Sequence, residues 1–204
     1  MKCYLKLMAL GLLTFLISCD EDDDPATSGV VSVKINNLPA DPPTGFDPNN
    51  GTPLGTTNKF TFFRFADSSI VVTADSATSK WDVGFRAQDI IVNSGSSGPG
   101  NAAAFTYTGL FNELESVPVD SIFKQDQLGA LAIGRSWYNY DPVGMVLIPK
   151  PGRIIVIRTA DNKYVKMEIL SYYKDAPTTP TFMSPARYYT FRYVYQKDGS
   201  KSFK

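Results

Sequence analysis

None of the 204 residues is a histidine, and cysteine occurs only as Cys3 and Cys19. That removes imidazole acid/base catalysis, the Ser-His-Asp triad and histidine-ligated metal centres at one stroke. The remaining groups able to do chemistry are carboxylates, phenols and thioethers. Carboxylate pairs such as Asp120 with Asp126, or Glu113 with Glu115, have the residue types that glycoside hydrolysis needs. They sit in polar sequence surroundings with nothing to lift one pKa above the other, so the sequence argues against an enzyme. Among the thioethers, Met145 and Met183 fall in loop-like stretches, whereas Met167 alternates with Val165 and Ile169 on one face of a strand. Such a methionine belongs to a core.

The first residues supply an address. Lys2 and Lys6 precede an apolar run from Leu7 to Ile17 that is too short to span a bilayer, which takes about 20 residues, and it has the form of a signal peptide. Its end, Leu16-Ile17-Ser18-Cys19, resembles the bacterial lipobox, in which the cysteine becomes the acylated first residue. Cys19 is therefore expected to be a lipid anchor, and cleavage before it takes Cys3 away. The acidic run Asp20 to Asp24 that follows resembles a surface-export signal of lipoproteins from Bacteroidetes-type bacteria. Lysine plus arginine equals aspartate plus glutamate at 20 each, so no basic surplus points to nucleic acid.

Behind the anchor, residues 19–58 are rich in Asp, Pro, Gly, Thr and Asn, which favour solvated extended chain. One alternation, Val31, Val33 and Ile35, predicts a single short strand in this tether. From Lys59 the chain changes to short β-branched and aromatic runs separated by turn residues. Phe60 to Phe65 and Ile70 to Thr73 flank the turn at residues 66–69, and Arg153 to Thr159 and Tyr164 to Tyr173 flank residues 160–163. Tyr188 to Tyr195 ends at the turn Lys197-Asp198-Gly199-Ser200. Only Val119 to Leu131 carries a trace of helical period. The expected architecture is all-β, mainly antiparallel hairpins in one compact domain spanning residues 59–204 after a flexible tether, with residues 1–18 removed.

Five segments in order then carry a family resemblance: Lys80-Trp81-Asp82-Val83-Gly84-Phe85-Arg86; Val92 to Gly98; Ser136-Trp137-Tyr138-Asn139-Tyr140; Arg158 to Lys166; and Tyr188 to Tyr195. Together with the lipobox, this pattern resembles the HmuY-like family of haem-binding surface lipoproteins. The resemblance implies a protein held on the outer membrane, facing outward, that binds haem or a porphyrin and hands it to a TonB-dependent receptor. Haem iron accepts Met or Tyr as well as His and Cys. Met145 lies where the family places one axial ligand and Met183 is a second candidate, while residues 111–135, where the other ligand is expected, contain no Met, His or Tyr. The resemblance further suggests Trp137, Tyr138 and Tyr140 as pocket walls, and Arg135 and Lys150 as partners of the haem propionates. The alternative is a module that kept this fold, no longer ligates haem iron, and binds a glycan, a peptide or a protein partner.

Overall fold

A computed structural model describes residues 30–49 and 52–204. The signal segment, Cys19 and the acidic run lie outside the described residues. In chain order the strands are β1 (Ser32–Pro39), β2 (Gly45–Phe46), β3 (Pro53–Leu54), β4 (Thr61–Arg64), β5 (Ser69–Val71), β6 (Val83–Arg86) and β7 (Asp89–Val92). Then come β8 (Ala103–Thr108), β9 (Tyr138–Asp141), β10 (Val146–Pro149), β11 (Arg153–Arg158), β12 (Tyr164–Tyr173) and β13 (Ala186–Gln196). All pairings are antiparallel.

Five strands form the central sheet in the order β1-β13-β12-β11-β8, and a second sheet runs β5-β4-β6-β7. The strand expected within residues 19–58 is β1, and it is part of the main sheet: Val33 and Ile35 pair with Tyr193 and Phe191, and Leu38 and Ala40 are buried. Packing of those two side chains brings the start of the folded domain forward of residue 59. The segment 119–131 departs from its helical period. Its backbone bonds are drawn to tertiary partners instead, with Lys124 paired to Ala104 and Ala132 N–H donating to the Asp126 carboxylate at 2.8 Å. Apart from a 3-10 turn at Thr73–Asp75, no helix occurs among the described residues, and none is long and apolar enough to cross a membrane.

The two sheets face one another over the main core. Ile155, Ile157, Val165, Met167, Phe191 and Tyr193 from the central sheet meet Phe63, Phe65, Val83 and Phe85. Met167 is fully buried there, as its alternation predicts. The opposite face of the central sheet is also covered, by an irregular segment carrying Phe111, Leu114 and Val117 together with Phe203 near the C-terminus. This explains the apolar run Ile154-Ile155-Val156-Ile157 in β11, because a strand buried on both faces loses the polar alternation.

Register places the two ends of the central sheet. Ser32 of β1 pairs with Val194 near the end of β13, whereas Pro39 pairs with Tyr188 near its beginning. Tyr173, at the end of β12, pairs with Ala186 at that same beginning, and its hydroxyl accepts the Leu147 N–H at 2.8 Å. The chain thus enters the sheet at the end opposite to the β9–β10 hairpin.

Candidate functional site

The β9–β10 hairpin pairs Tyr138 with Pro149, Asn139 with Ile148, Tyr140 with Leu147 and Asp141 with Val146. Its loop, residues 142–145, begins with an Asx turn in which the Asp141 carboxylate accepts the Val143 N–H at 2.9 Å. Such a loop needs one residue in the left-handed region, a place usually taken by glycine. Here Met145 takes it, at φ +52°, although Gly144 is its neighbour. At Gly144 a Cβ would come within 2.9 Å of Asp141 Oδ2, the movable end of a side chain. The backbone therefore presents the Met145 side chain at the hairpin tip in a conformation costing about 1–2 kcal/mol.

Met145 (56% exposed), Val143 (92%), Tyr140 (57%) and Ile148 (44%) are open apolar side chains of this hairpin, Tyr140 and Ile148 on opposite faces of it. Its base, by contrast, is fixed. Trp137 is buried, its Nε1 donates to the Gln88 carbonyl at 3.0 Å, and its ring touches Tyr138, Tyr172 and Tyr189 with centroids 4.8, 5.7 and 5.1 Å away. Val146 is buried, and Leu147 is tied to Tyr173. Of the three suggested pocket walls, Tyr140 faces solvent, Tyr138 is partly buried and Trp137 supports the hairpin from below.

Met183 (74% exposed) sits beside Phe182 (65% exposed) in the loop between β12 and β13. That loop is closed at its base by Lys174 N–H to the Pro185 carbonyl at 2.8 Å and by reciprocal bonds between Asn37 and Asp175, each 2.7 Å. Met145 and Met183 therefore both belong to the end of the sheet marked by Tyr173. Arg135 makes a two-pronged pair with Asp89, Nε to Oδ1 at 2.8 Å and Nη2 to Oδ2 at 3.3 Å, and this carboxylate pushes the guanidinium pKa up. Lys150 Nζ donates to the Ser136 carbonyl at 3.1 Å. Both cations suggested for propionates thus already have protein partners.

Other polar residues are more deeply placed than the sequence suggested. Asp82 is 5% exposed, and its carboxylate joins the two sheets by accepting Phe65 N–H at 2.9 Å and Ala160 N–H at 3.1 Å. Burial is the largest influence on it and, with help from Asp161, pushes its pKa up to about 6 despite those bonds. Asp126 is buried between the Val92 and Ala132 amides, and Asn93 bonds the carbonyls of Thr78 and Trp81. In sequence these residues look like turn and loop punctuation. Only their neighbours, the apolar runs Trp81 to Phe85 and Ile90 to Val92, hint that they sit inside. Among the described residues no group of three acidic, cysteine or histidine side chains is arranged to hold a metal ion.

No protein-family model matches the chain, and no curated protein matches it. Its neighbours among solved structures are HmuY-like proteins. A candidate lipoprotein of Bacteroides fragilis is 17% identical, with a TM-score of 0.47 over 80% of this chain and 88% of that one. The apo form of an HmuY analog from Tannerella forsythia is 13% identical, with a TM-score of 0.46 over 81% and 95%. A candidate HmuY-like heme binding protein of Bacteroides vulgatus is 13% identical, with a TM-score of 0.49 over 80% and 90%.

Proposed function

We propose that this protein is a surface lipoprotein, anchored through Cys19, that binds haem or a related porphyrin on the β9–β10 hairpin and passes it to a TonB-dependent outer-membrane receptor. The observation that carries this reading is the exposure of Tyr140, Val143 and Met145 at the tip of a hairpin whose base is held by Trp137 and Tyr173. A flat apolar ring system buries such side chains without any rearrangement of the core, and a thioether is an established axial donor to haem iron. Bound haem would supply that iron, and the chain would supply the Met145 sulfur and apolar contacts from Tyr140 and Val143 at the hairpin tip. Met183 and Phe182 are exposed on the loop at the same end of the sheet. The entry of the chain at the far end of the sheet directs the hairpin away from the tethered end.

Hemin titration of the full-length protein tests this. A saturable shift of the Soret band that changes position in Met145→Ala supports ligation by that sulfur. Absence of any shift, or a shift identical in the variant, rejects it. A second reading, a module that binds without ligating iron, draws on the openness of both methionines and the lack of a Met, His or Tyr in residues 111–135. Equal affinity for hemin and for iron-free protoporphyrin decides for that reading over the first.

A further inference from the structure

Ser32 of β1 pairs with Val194 and Val33 with Tyr193, so the chain upstream of β1 runs in the direction of Gln196, and Val30 packs on the cluster that contains Val194 and Phe203. The residues after Gln196 fold back over the same place, with Gln196 Nε2 donating to the Ser202 carbonyl at 3.0 Å and Val117 N–H to the Lys201 carbonyl at 2.9 Å. Tyr164 pairs with Gln196, which sets Lys163 beside Lys197 in the next row out. Lys163 Nζ lies over the turn that follows, 3.4 Å from where a Cβ on Gly199 would stand. Whatever precedes Val30 therefore leaves the domain at a rim carrying Lys163, Lys197 and Lys201.

This rim holds more positive charge than its surroundings use. Lys197 and Lys201 are exposed and Lys163 is partly so, and among the described residues none of the three lies within ion-pair distance of a carboxylate. The acids nearby serve other groups. Asp198 accepts the Ser200 N–H at 2.7 Å, a bond that does more than Lys163 to hold its pKa down, Asp161 accepts the Thr159 hydroxyl at 2.6 Å, and Glu115 pairs with Lys204. Lys34, exposed on β1, stands directly opposite Arg192, whose own partner is Glu168 at 2.7 Å. Like charges facing across a strand pair are unfavourable, so Lys34 also lacks a counter-charge. One is available in the same chain. Residues 30–204 hold three more cations than carboxylates, while Asp20 to Asp24 are five consecutive acids.

We propose that the acidic run Asp20 to Asp24 straps onto the rim formed by Lys163, Lys197 and Lys201, with Lys34 at its edge. The reach is sufficient: at about 3.6 Å per residue or less, Asp24 stands within about 22 Å of Val30 and Asp20 within about 36 Å. A single exposed ion pair is weak, but the run is covalently held beside the rim at high local concentration, and its acids can serve these cations in many arrangements. The strap draws Cys19 towards the domain. Salt, or a polyanion that takes the rim, lets it out again.

The test uses the full, unacylated chain with Cys3→Ser, so that a nitroxide on Cys19 sits next to the run, and reads paramagnetic broadening of backbone amides. At low salt the amides of Lys163 and of residues 197–202 should broaden about threefold or more beyond a variant carrying Asp20→Asn, Glu21→Gln, Asp22→Asn, Asp23→Asn and Asp24→Asn. Lys163→Gln, Lys197→Gln and Lys201→Gln together should lose the same excess, and both sets combined should lose no more than either alone. Sodium chloride at about 0.5 M should remove the excess from the parent chain. Equal broadening in the parent and the neutralised chain, or an excess that survives the salt, overturns the strap, because the length of the linker then explains it. If the parent shows no excess and its rim amides shift instead on adding phosphatidylglycerol vesicles, the rim serves an anionic lipid surface and the strap is overturned in its favour. Unchanged amide shifts away from the rim check the fold of each variant, and the salt titration of the parent chain decides without any of them.

Discussion

The two faces of the central sheet are closed by different means. In front, a second sheet covers it and the contact is mainly hydrocarbon and aromatic, with Phe63 edge-on to Phe191 at 5.5 Å and Phe65 against Tyr193 at 4.9 Å, and with polar ties only at its edge, where Asp82 and the Tyr193 hydroxyl bond the Phe65 backbone. Behind, the cover is an irregular segment whose carbonyls have no ladder to join. Lys166 answers that need: only 4% exposed, it donates from Nζ to the Phe111 and Leu114 carbonyls at 2.8 Å each, with the Phe111 ring 4.7 Å from its charge. Burial pulls its pKa down, with Arg192 adding to the effect and Glu115 opposing it. A regular layer is held mainly by apolar packing, whereas an irregular one needs directed donors for its unladdered carbonyls.

The largest effect that would break this contrast is on the front. Phe191→Ala, at a fully buried position, should cost about 3–5 kcal/mol in urea unfolding. A smaller loss would mean that the aromatic layer repacks. Next comes Lys166→Met, which keeps the stem and removes the two donors; we expect a loss of roughly 2–3 kcal/mol, with faster amide exchange confined to residues 110–117. Uniformly faster exchange would show that the back cover is not held locally.

The Asp82 carboxylate joins the two sheets directly. Its folded pKa of about 6 lies above the ordinary 3.8, so the native chain binds this proton more tightly than the unfolded chain. On its account stability rises as pH falls from 6 towards 4 and is flat above 6. Between pH 7.5 and 4.5 this amounts to about 2 kcal/mol, a slope that should disappear in Asp82→Asn when unfolding midpoints are compared at the two pH values. The smallest effect lies at the hairpin tip, outside either core. Met145→Gly should raise stability by about 0.5–1 kcal/mol, since glycine accepts φ +52° freely, while abolishing any iron-dependent spectrum. A destabilised Met145→Gly would mean that the side chain has a packing role.

The hairpins were legible because their turn residues interrupt β-branched runs, and Met167 was legible because alternation assigns a face. The same alternation places Lys166 on the face opposite Met167, but cannot tell that this face is covered too. That information lies in residues 110–117 and Phe203, which are distant in sequence and irregular in form. Asp82 and Asp126 escaped for a related reason, since a carboxylate that serves backbone amides of remote strands looks locally like any turn residue. The suggested propionate partners were legible as nearby cations, but not as cations already in use.

One consequence follows from where the chain enters. Ser32 and the β9–β10 hairpin lie at opposite ends of the central sheet, so a force applied between them, as the proposed anchor and receptor would apply it, runs along the strands. The β1–β13 hydrogen bonds then stand at right angles to the load and resist it together, as a lap joint does in shear, instead of opening one at a time like a zip. A protein pulled from both sides during cargo transfer would keep its fold because of the direction in which its first strand runs.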